Sequence, residues 1–254
     1  QAGAKPRDIA GLIARRLADR DAVESVEVAG PGFINLFLAA DAYQQLPVQI
    51  RTQGEAYGTS SDGAGQRIMV EFVSANPTGP LHVGHGRGAA YGDALARVLR
   101  AAGYAAVSEY YINDAGRQMD ILALSVWLRY LELCGETVSF PRAAYQGDYV
   151  FDIAATLHRE GSEKYRCDAT ALLSSLPDDD DQALDTLISR ARSVLGDPGF
   201  VRVHTLASET LVADIRADLT CFGVEYQTWY SERSLIDSGA VQRAVDDLKE
   251  GDFL

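Results

Sequence analysis

Two histidines, His82 and His85, stand where an apolar run gives way to helix-patterned sequence. They are two of the four histidines in a chain of 254 residues, and Gly84 lies between them. A helix N-terminus presents unpaired N–H groups and partial positive charge, so it binds phosphates readily. The two imidazoles would add donors at the same place, and Gly84 would let a flat base or ribose approach the backbone. The segment therefore suits a nucleoside triphosphate.

The reaction that these residue types favour is adenylate transfer, in which a carboxylate attacks the α-phosphate of ATP and pyrophosphate leaves. The protein then supplies donors to the developing charge and holds the reactants in line, so it needs no nucleophilic side chain. The chain has no P-loop sequence, and Gly84, Gly86 and Gly88 do not match the dinucleotide-binding pattern.

Taken alone, the two histidines could instead be a metal pair or ordinary loop residues. Zinc needs three or four ligands, and no cysteine or third histidine lies nearby in the sequence. We therefore predict no metal site.

Composition narrows the class of protein. The net charge of −13 argues against a general nucleic-acid coat protein, because phosphate contacts need lysine and arginine. It leaves room for a local basic surface on the first predicted helix, at Arg15, Arg16 and Arg20, for which a solvated helix face is the alternative. The three cysteines are far apart, and we interpret them as buried thiols in a reducing cytosol. No apolar run is long enough to cross a bilayer, so we predict a cytoplasmic protein with no membrane partner.

The first sixty residues predict a small α+β domain. Its predicted elements are a helix over Asp8–Asp19 with Asp8 as N-cap, strands over Val23–Ala29 and Phe33–Ala39, and a helix over Asp41–Thr52. The segment Gly54–Gln66 is rich in glycine and serine and predicts a linker. We accordingly place the two domains at residues 1–60 and 61–254.

From Ile68 the pattern changes to that of a parallel α/β sheet. The predicted elements are a largely buried strand over Ile68–Val73, a helix over His85–Ala102, a strand over Ala105–Ile112 and a helix over Ala115–Leu133. The buried stripe of the first helix is predicted at Leu95, Val98, Leu99 and Ala102.

Beyond Cys134 the sequence predicts mostly helix. A solvated loop is predicted at Asp178–Asp181, and turns or helix boundaries are predicted at Asp197–Gly199 and Asp237–Gly239.

Four separated segments resemble one family, the bacterial-type arginyl-tRNA synthetases, which belong to class I of the aminoacyl-tRNA synthetases. The segment Val70–Asp93 is similar to the family's catalytic entry, with its "HIGH" region at His82–His85. Tyr110–Gln118 and Tyr145–Tyr149 continue the resemblance, and Gly30–Asn35 resembles the hairpin of the family's amino-terminal tRNA-binding domain. The resemblance implies an α/β fold: a parallel-sheet, Rossmann-like class I catalytic domain, incomplete and with a helical insertion, preceded by a small α+β tRNA-binding domain.

The resemblance also implies roles for individual residues. His82 and His85 match the histidines that bind the ATP phosphates and stabilise the transition state, and Gly84 matches the glycine beneath the nucleotide. The residues matched to arginine binding are Glu71, Ser74, Ala75, Asn76, His85 and Glu232. The two carboxylates suit a guanidinium, which offers five donors in a planar fork. Asn113 and Asp114 are expected to line the same cleft, with a turn and N-cap as the alternative.

The function implied is that of an arginine–tRNA ligase, with ATP and Mg²⁺ as substrate and no tightly bound cofactor. Its partners would be L-arginine, ATP and tRNA(Arg), the last needed for the activation step, and a monomer is expected. The family's lysine-containing loop has no counterpart here, since the only lysines are Lys5, Lys164 and Lys249. We therefore expect an amino-terminal fragment that is inactive by itself. The alternative is a non-catalytic RNA-binding or interaction module that retains an inactive synthetase fold.

Overall fold

A computed structural model describes residues 3–253 of the chain. The chain forms two compact units, Gln1–Ser60 and Ser61–Leu254. The boundary falls inside the glycine- and serine-rich segment.

The first unit is a helix, a hairpin and a second helix. Its elements are α1 (Pro6–Ala18), β1 (Val23–Ala29), β2 (Phe33–Leu38) and α2 (Ala40–Gln53), followed by a short 3-10 turn (Gly54–Ala56). The strands pair antiparallel. The prediction that Asp8 caps α1 is wrong: the helix begins at Pro6 with Lys5 as N-cap, and Asp8 lies in its first turn. Proline has no N–H to satisfy and its fixed φ suits a first helical position, so this start needs no side-chain cap.

The second unit contains a three-stranded parallel sheet with the order β3-β4-β5. Its elements in chain order are β3 (Arg67–Glu71), α3 (Val83–Ala101), β4 (Ala105–Ile112), α4 (Arg117–Leu133), α5 (Asp148–Gly161), α6 (Ala169–Leu173), α7 (Asp180–Cys221), β5 (Thr228–Ser231), α8 (Glu232–Asp237) and α9 (Ala240–Glu250). The predicted parallel α/β class and the mostly helical region beyond Cys134 are confirmed. The short strand β5 was not predicted.

Two apolar cores hold this unit together. The larger joins α4, α5 and α7, and its biggest fully buried side chains include Trp127 and Tyr130. The smaller lies against the sheet and includes Tyr110, Ile112, Ile215 and Leu219. The helix α7 contributes side chains to both cores and so joins the helical region to the sheet.

The predicted burial of β3 and α3 is wrong. On β3 Met69 is 62% exposed, and on α3 Val98 is 65% exposed, whereas the buried positions of α3 are Ala89, Gly92 and Ala96. A Cβ at Gly92 would clash with the ring of Phe72. Small residues thus let α3 approach the sheet closely. Of the predicted stripe, Leu95 and Val98 are exposed, whereas Leu99 and Ala102 are half-buried.

The predicted solvated loop at Asp178–Asp181 is also wrong in part. Asp179 is the N-cap of α7, its carboxylate accepting the Gln182 N–H at 2.9 Å, and Asp181 lies in the first helical turn. Asp181 also pairs with Arg117 at 3.0 Å. Aspartates at a helix N-terminus satisfy free N–H groups and complement the helix dipole.

The other predicted boundaries correspond to breaks in helices. α7 is kinked at Gly196, with φ 64° and ψ 167°, just before the predicted site at Asp197–Gly199. Gly239, in the left-handed region, separates α8 from α9.

The thiols differ from the prediction, because Cys134 and Cys167 are half-buried but Cys221 is exposed. Within residues 3–253, no helix is long and apolar enough to cross a membrane.

Candidate active site

The predicted site residues follow the carboxyl ends of the three parallel strands. Ser74–Asn76 come after β3, Asn113 and Asp114 after β4, and Glu232 directly after β5. Because the strands are parallel, these segments meet at one edge of the sheet, where open α/β sheets bind their ligands.

His82 and His85 cap the N-terminus of α3 with their own rings. Nδ1 of His82 accepts the Gly84 N–H at 3.1 Å, and Nδ1 of His85 accepts the His82 N–H at 3.2 Å. The rings stack, with centroids 3.8 Å apart and an angle of 21° between their planes. Two backbone donors at the helix start are thereby satisfied by imidazole nitrogens.

These caps determine which nitrogen of each ring carries the proton. A neutral imidazole has one donor and one acceptor nitrogen. Since both Nδ1 atoms accept backbone N–H groups, the network assigns the proton to Nε2 in both rings. Burial, and next the neighbouring His82, lower the pKa of His85 from its ordinary value of 6.5, which favours the neutral ring. The helix start therefore presents an Nε2–H donor from each ring.

Gly84 has a steric role in this cap. A Cβ at this position would lie 2.9 Å from Cε1 of His82, closer than side-chain carbons normally approach. Glycine thus lets the His82 ring fold over the backbone and accept the Gly84 N–H. The sequence prediction gave only the approach of a nucleotide as the reason for this glycine.

A strained turn links β3 to this helix. Val73 and Ser74 have φ values of 65° and 41°, in the left-handed region that non-glycine residues rarely adopt. Such residues cost about 1–3 kcal/mol each and persist where their surroundings hold them. The Tyr111 N–H donates to the Ser74 hydroxyl at 3.1 Å.

Tyr110 on β4 completes the hold on this turn. Its hydroxyl accepts the Ala75 N–H and donates to the Ala75 carbonyl, both at 3.1 Å. The side chain is 1% exposed and stacks on Trp229 with centroids 4.5 Å apart. Burial raises the pKa of Tyr110 to about 12, so it remains a phenol that can both donate and accept. The sequence analysis did not select Tyr110, because tyrosine is common in strands and its presence there indicates no more than a strand.

Two side-chain amides orient Asn76. Its Nδ2 donates to Oε1 of Gln118 at 2.5 Å, and its Oδ1 accepts from Nδ2 of Asn113 at 2.8 Å. The predicted residues Asn76 and Asn113 are therefore in contact. Gln118 was missed as a site residue although it ends one of the segments that carry the resemblance.

The helical region contributes Tyr149 to the same loop. Its hydroxyl donates to the Thr78 carbonyl at 2.7 Å. A Cβ at Gly79 would meet that hydroxyl at 3.4 Å. The segment Tyr145–Tyr149 thus has a direct contact with the loop that precedes the two histidines.

Asp114 and Glu232 are joined through the start of α8. Asp114 accepts the Ser231 hydroxyl at 2.6 Å and the Arg233 N–H at 2.9 Å, so both carboxylate oxygens are engaged. Glu232 lies between those two residues, and its charge acts on the hydroxyl of Tyr111. Burial, and next the charge of Glu232, raise the pKa of Tyr111.

Glu71 stands apart from these contacts. It is exposed at the end of β3, in register with Glu109, and its side chain has no hydrogen-bonded or ionic partner within residues 3–253. Strand alternation places Glu71 and Glu109 on the sheet face that also carries Tyr111. The structure therefore does not bring Glu71 into contact with Asn76 or the histidines.

Comparisons with known proteins give a consistent result. Residues 48–194 match a family described as tRNA synthetases class I (R), catalytic domain, and residues 1–38 match one described as arginyl tRNA synthetase N terminal domain. An arginine–tRNA ligase of Thioalkalivibrio sulfidiphilus is 55% identical over 98% of this chain and 44% of its own length. One from Halorhodospira halophila is 51% identical over 98% of this chain and 43% of its own length.

Solved structures resemble the same chain. A Campylobacter jejuni protein described as an arginyl-tRNA synthetase is 29% identical, with a TM-score of 0.62, over 84% of this chain and 40% of that one. The Thermus thermophilus arginyl-tRNA synthetase, at 24% identity and a TM-score of 0.54 over 97% of this chain and 36% of its own, shares the fold. The chain spans less than half the length of the relatives it matches.

Proposed function

Because the chain belongs to the class I arginyl-tRNA synthetase family, we propose that it carries the ATP- and arginine-binding part of an arginine–tRNA ligase. In this reaction the carboxylate of L-arginine attacks the α-phosphate of ATP, and pyrophosphate leaves. A hydroxyl at the 3′ end of tRNA(Arg) then attacks the arginyl carbonyl of the adenylate, and AMP leaves. The observation that carries the proposal is the pair of Nε2–H donors at the start of α3.

The two histidines act as phosphate ligands in this proposal. N–H donors that are already fixed by backbone caps need no reorganisation when charge develops on the phosphate, which is how such donors lower a barrier. Gly84 keeps the backbone beside them accessible. Mg²⁺ enters as part of the nucleotide substrate, held by phosphate oxygens and water, ligands that it commonly keeps. No tightly bound cofactor is involved.

Arginine binds beside the phosphates in this proposal. Ser74, Ala75 and Asn76 hold the amino acid together with His85, and Glu71 and Glu232 receive the guanidinium. The fixed orientation of Asn76 between Asn113 and Gln118 supports this assignment, because a preset amide loses little entropy on binding. Glu71 and Tyr111 lie on one face of the sheet, and the charge of Glu232 acts on Tyr111. This arrangement supports a guanidinium site bordered by both carboxylates.

The first unit contacts tRNA in this proposal. Support comes from the match of residues 1–38 to the amino-terminal domain family and from the basic residues Arg15 and Arg16 in the last turn of α1. We place the protein in the cytosol as a monomer.

The test is arginine-dependent exchange of pyrophosphate into ATP by the full-length product of the gene, with tRNA(Arg) present. His82→Ala and His85→Ala should each lower the exchange rate by about 10²–10³-fold, the effect of losing one transition-state donor. His158→Ala is the matched control, because His158 lies on α5 and packs near Tyr130. It should change the rate less than threefold.

Two outcomes would contradict the proposal. A loss below threefold for both site variants would remove the histidines from catalysis. An unmodified protein that binds tRNA but exchanges no pyrophosphate would favour the non-catalytic alternative.

A further inference from the structure

We propose that Asp114 is a positioning residue for Glu232: from the loop after β4 it caps the start of α8 and so fixes the backbone that carries the arginine-binding carboxylate. The inference rests on the proposed role of Glu232 in binding arginine. It changes the expected role of Asp114, which as a lining residue would have offered its own carboxylate to the substrate.

The hydrogen bonds of Asp114 direct both of its carboxylate oxygens toward the start of α8. Oδ2 accepts the Ser231 hydroxyl at 2.6 Å, and Oδ1 accepts the Arg233 N–H at 2.9 Å. These two donors belong to the residues immediately before and after Glu232. A carboxylate held in this way on both sides of Glu232 constrains the φ and ψ angles that aim its side chain.

The start of α8 needs an outside cap. The helix is only six residues long, and Ser231, its N-cap residue, makes no side-chain cap of its own. Short helices gain little from their internal hydrogen bonds, so their orientation depends on tertiary contacts. Asp114 accepts from the second helical N–H, which an N-cap side chain would normally bind.

A second group of contacts, made by the Arg233 side chain, fixes the same junction between β5 and α8. The Arg233 guanidinium lies 3.4 Å from the Asp114 carbonyl and 2.9 Å from Nε2 of His204. His204 is buried on α7, with 4% exposed. Burial, and next the Arg233 charge, lower the pKa of His204, which favours a neutral ring that accepts from the guanidinium. The junction between β5 and α8 is thereby attached to both the β4 loop and α7.

The carboxylate of Glu232 acts on the end of β4. Burial, and next the charge of Glu232, raise the pKa of Tyr111, which lies on the strand that leads into Asp114. The loop after β4 thus holds the backbone of Glu232 through Asp114, while Tyr111 at the end of β4 senses the charge of its side chain. Loss of Asp114 should therefore affect arginine binding through Glu232 and leave the ATP ligands on α3 unchanged.

The experiment is a double-mutant cycle in the full-length gene product, with the arginine Kd from calorimetry and KM values for arginine and ATP. Glu232→Gln should weaken arginine binding about tenfold or more, the range of a charged hydrogen bond. Asp114→Ala should weaken it about tenfold. If Asp114 acts through Glu232, the double variant should be within about twofold of Glu232→Gln alone, because coupled residues are not additive. The KM for ATP should change less than twofold.

Two further variants separate positioning from folding. Asp114→Asn keeps one oxygen that can accept the Arg233 N–H and should recover most of the lost affinity. Ser231→Ala removes only the hydroxyl contact, so it should fold even if Asp114→Ala does not, and it should weaken arginine binding two- to threefold.

Three results would overturn the inference. In the first, Asp114→Ala and Glu232→Gln give fully additive losses of arginine affinity. In the second, Asp114→Ala and Ser231→Ala leave the arginine Kd unchanged while Glu232→Gln weakens binding. Either result would show that Asp114 does not act through Glu232. If Glu232→Gln itself binds arginine normally, the proposed role of Glu232 is wrong and the positioning role is lost with it.

Discussion

The two nitrogens of each site imidazole have different tasks. Nδ1 accepts a backbone N–H and completes the start of α3, and Nε2–H is left to donate outward. Stability and phosphate binding therefore depend on different atoms of the same side chain, which substitutions can separate.

The first residue-scale prediction concerns His85→Asn and His85→Gln. Asparagine places an amide oxygen near the position of Nδ1, so it should keep the contact with the His82 N–H but lose the outward donor. Glutamine reaches the position of Nε2 and keeps a donor there. We expect His85→Asn to retain the unfolding midpoint of the unmodified protein and to lose about 10²–10³-fold in pyrophosphate exchange. His85→Gln should retain more activity than His85→Asn.

Thermal unfolding and pyrophosphate exchange of the two variants measure the two tasks. If His85→Asn were the more active of the pair, the outward Nε2–H would not be the phosphate ligand.

The sequence predicted the site residues that lie next to one another in the chain and missed those that the fold brings together from distant positions. His82, Gly84 and His85 were selected because a glycine and two histidines at a helix start form a local pattern. Tyr110, Gln118 and Tyr149 touch the same loop from positions 35 to 71 residues away. No local pattern marks such partners, since a strand tyrosine or a helix glutamine reads as an ordinary structural residue.

The loop between β3 and α3 has a strained backbone that hydrogen bonds from β4 stabilise. Val73 and Ser74 adopt left-handed φ values, while Tyr111 on β4 holds Ser74 and Tyr110 holds Ala75. The loop is therefore shaped by the adjacent strand as well as by its own sequence. A change in a β4 side chain should therefore alter the conformation of this loop.

Tyr110→Phe should loosen the arginine-binding segment. The substitution keeps the buried ring but removes the hydroxyl that bonds both backbone groups of Ala75. We expect stability to fall by about 1–3 kcal/mol, because the half-buried backbone groups of Ala75 lose their partner. The KM for arginine should rise about tenfold as the preset loop geometry is lost.

Tyr130→Phe provides the matched control. Tyr130 is also fully buried, and its hydroxyl donates to the Ser162 carbonyl at 2.5 Å, in the helical core. It should lower stability similarly and leave the KM for arginine unchanged. Equal KM values in both variants and the unmodified enzyme would show that the Tyr110 hydroxyl serves stability alone.

Element types were easier to predict than their faces. β4 was predicted with its observed bounds, Ala105–Ile112, because its apolar and β-branched residues are flanked by clear breaks. The buried face of α3 was predicted at large apolar residues, but Ala89, Gly92 and Ala96 pack inward so that the helix can approach Phe72. Periodicity measures hydrophobicity, whereas close packing on a sheet selects small size.

The whole chain consists of two units with separate internal organisation. The α/β class was predictable because alternating strand and helix patterns are a global signal. The helical insertion was expected from the family resemblance alone. The strand β5 was not predictable, since four residues between helices carry little pattern, and its place beside β4 is set by pairing such as Tyr110 with Trp229.

The proposed function depends on one claim above all, that the start of α3 presents two Nε2–H donors to a triphosphate. With only four histidines in the chain, ring ¹⁵N NMR can observe each of them. The measurement is a long-range ¹H–¹⁵N spectrum of this chain at pH 7, titrated with a non-hydrolysable ATP analogue and Mg²⁺. We expect Nε2–H tautomers for His82 and His85 and movement of both Nε2 resonances with nucleotide, while the resonances of His158 stay unchanged. Nδ1–H tautomers, or site resonances that ignore the nucleotide, would contradict that claim.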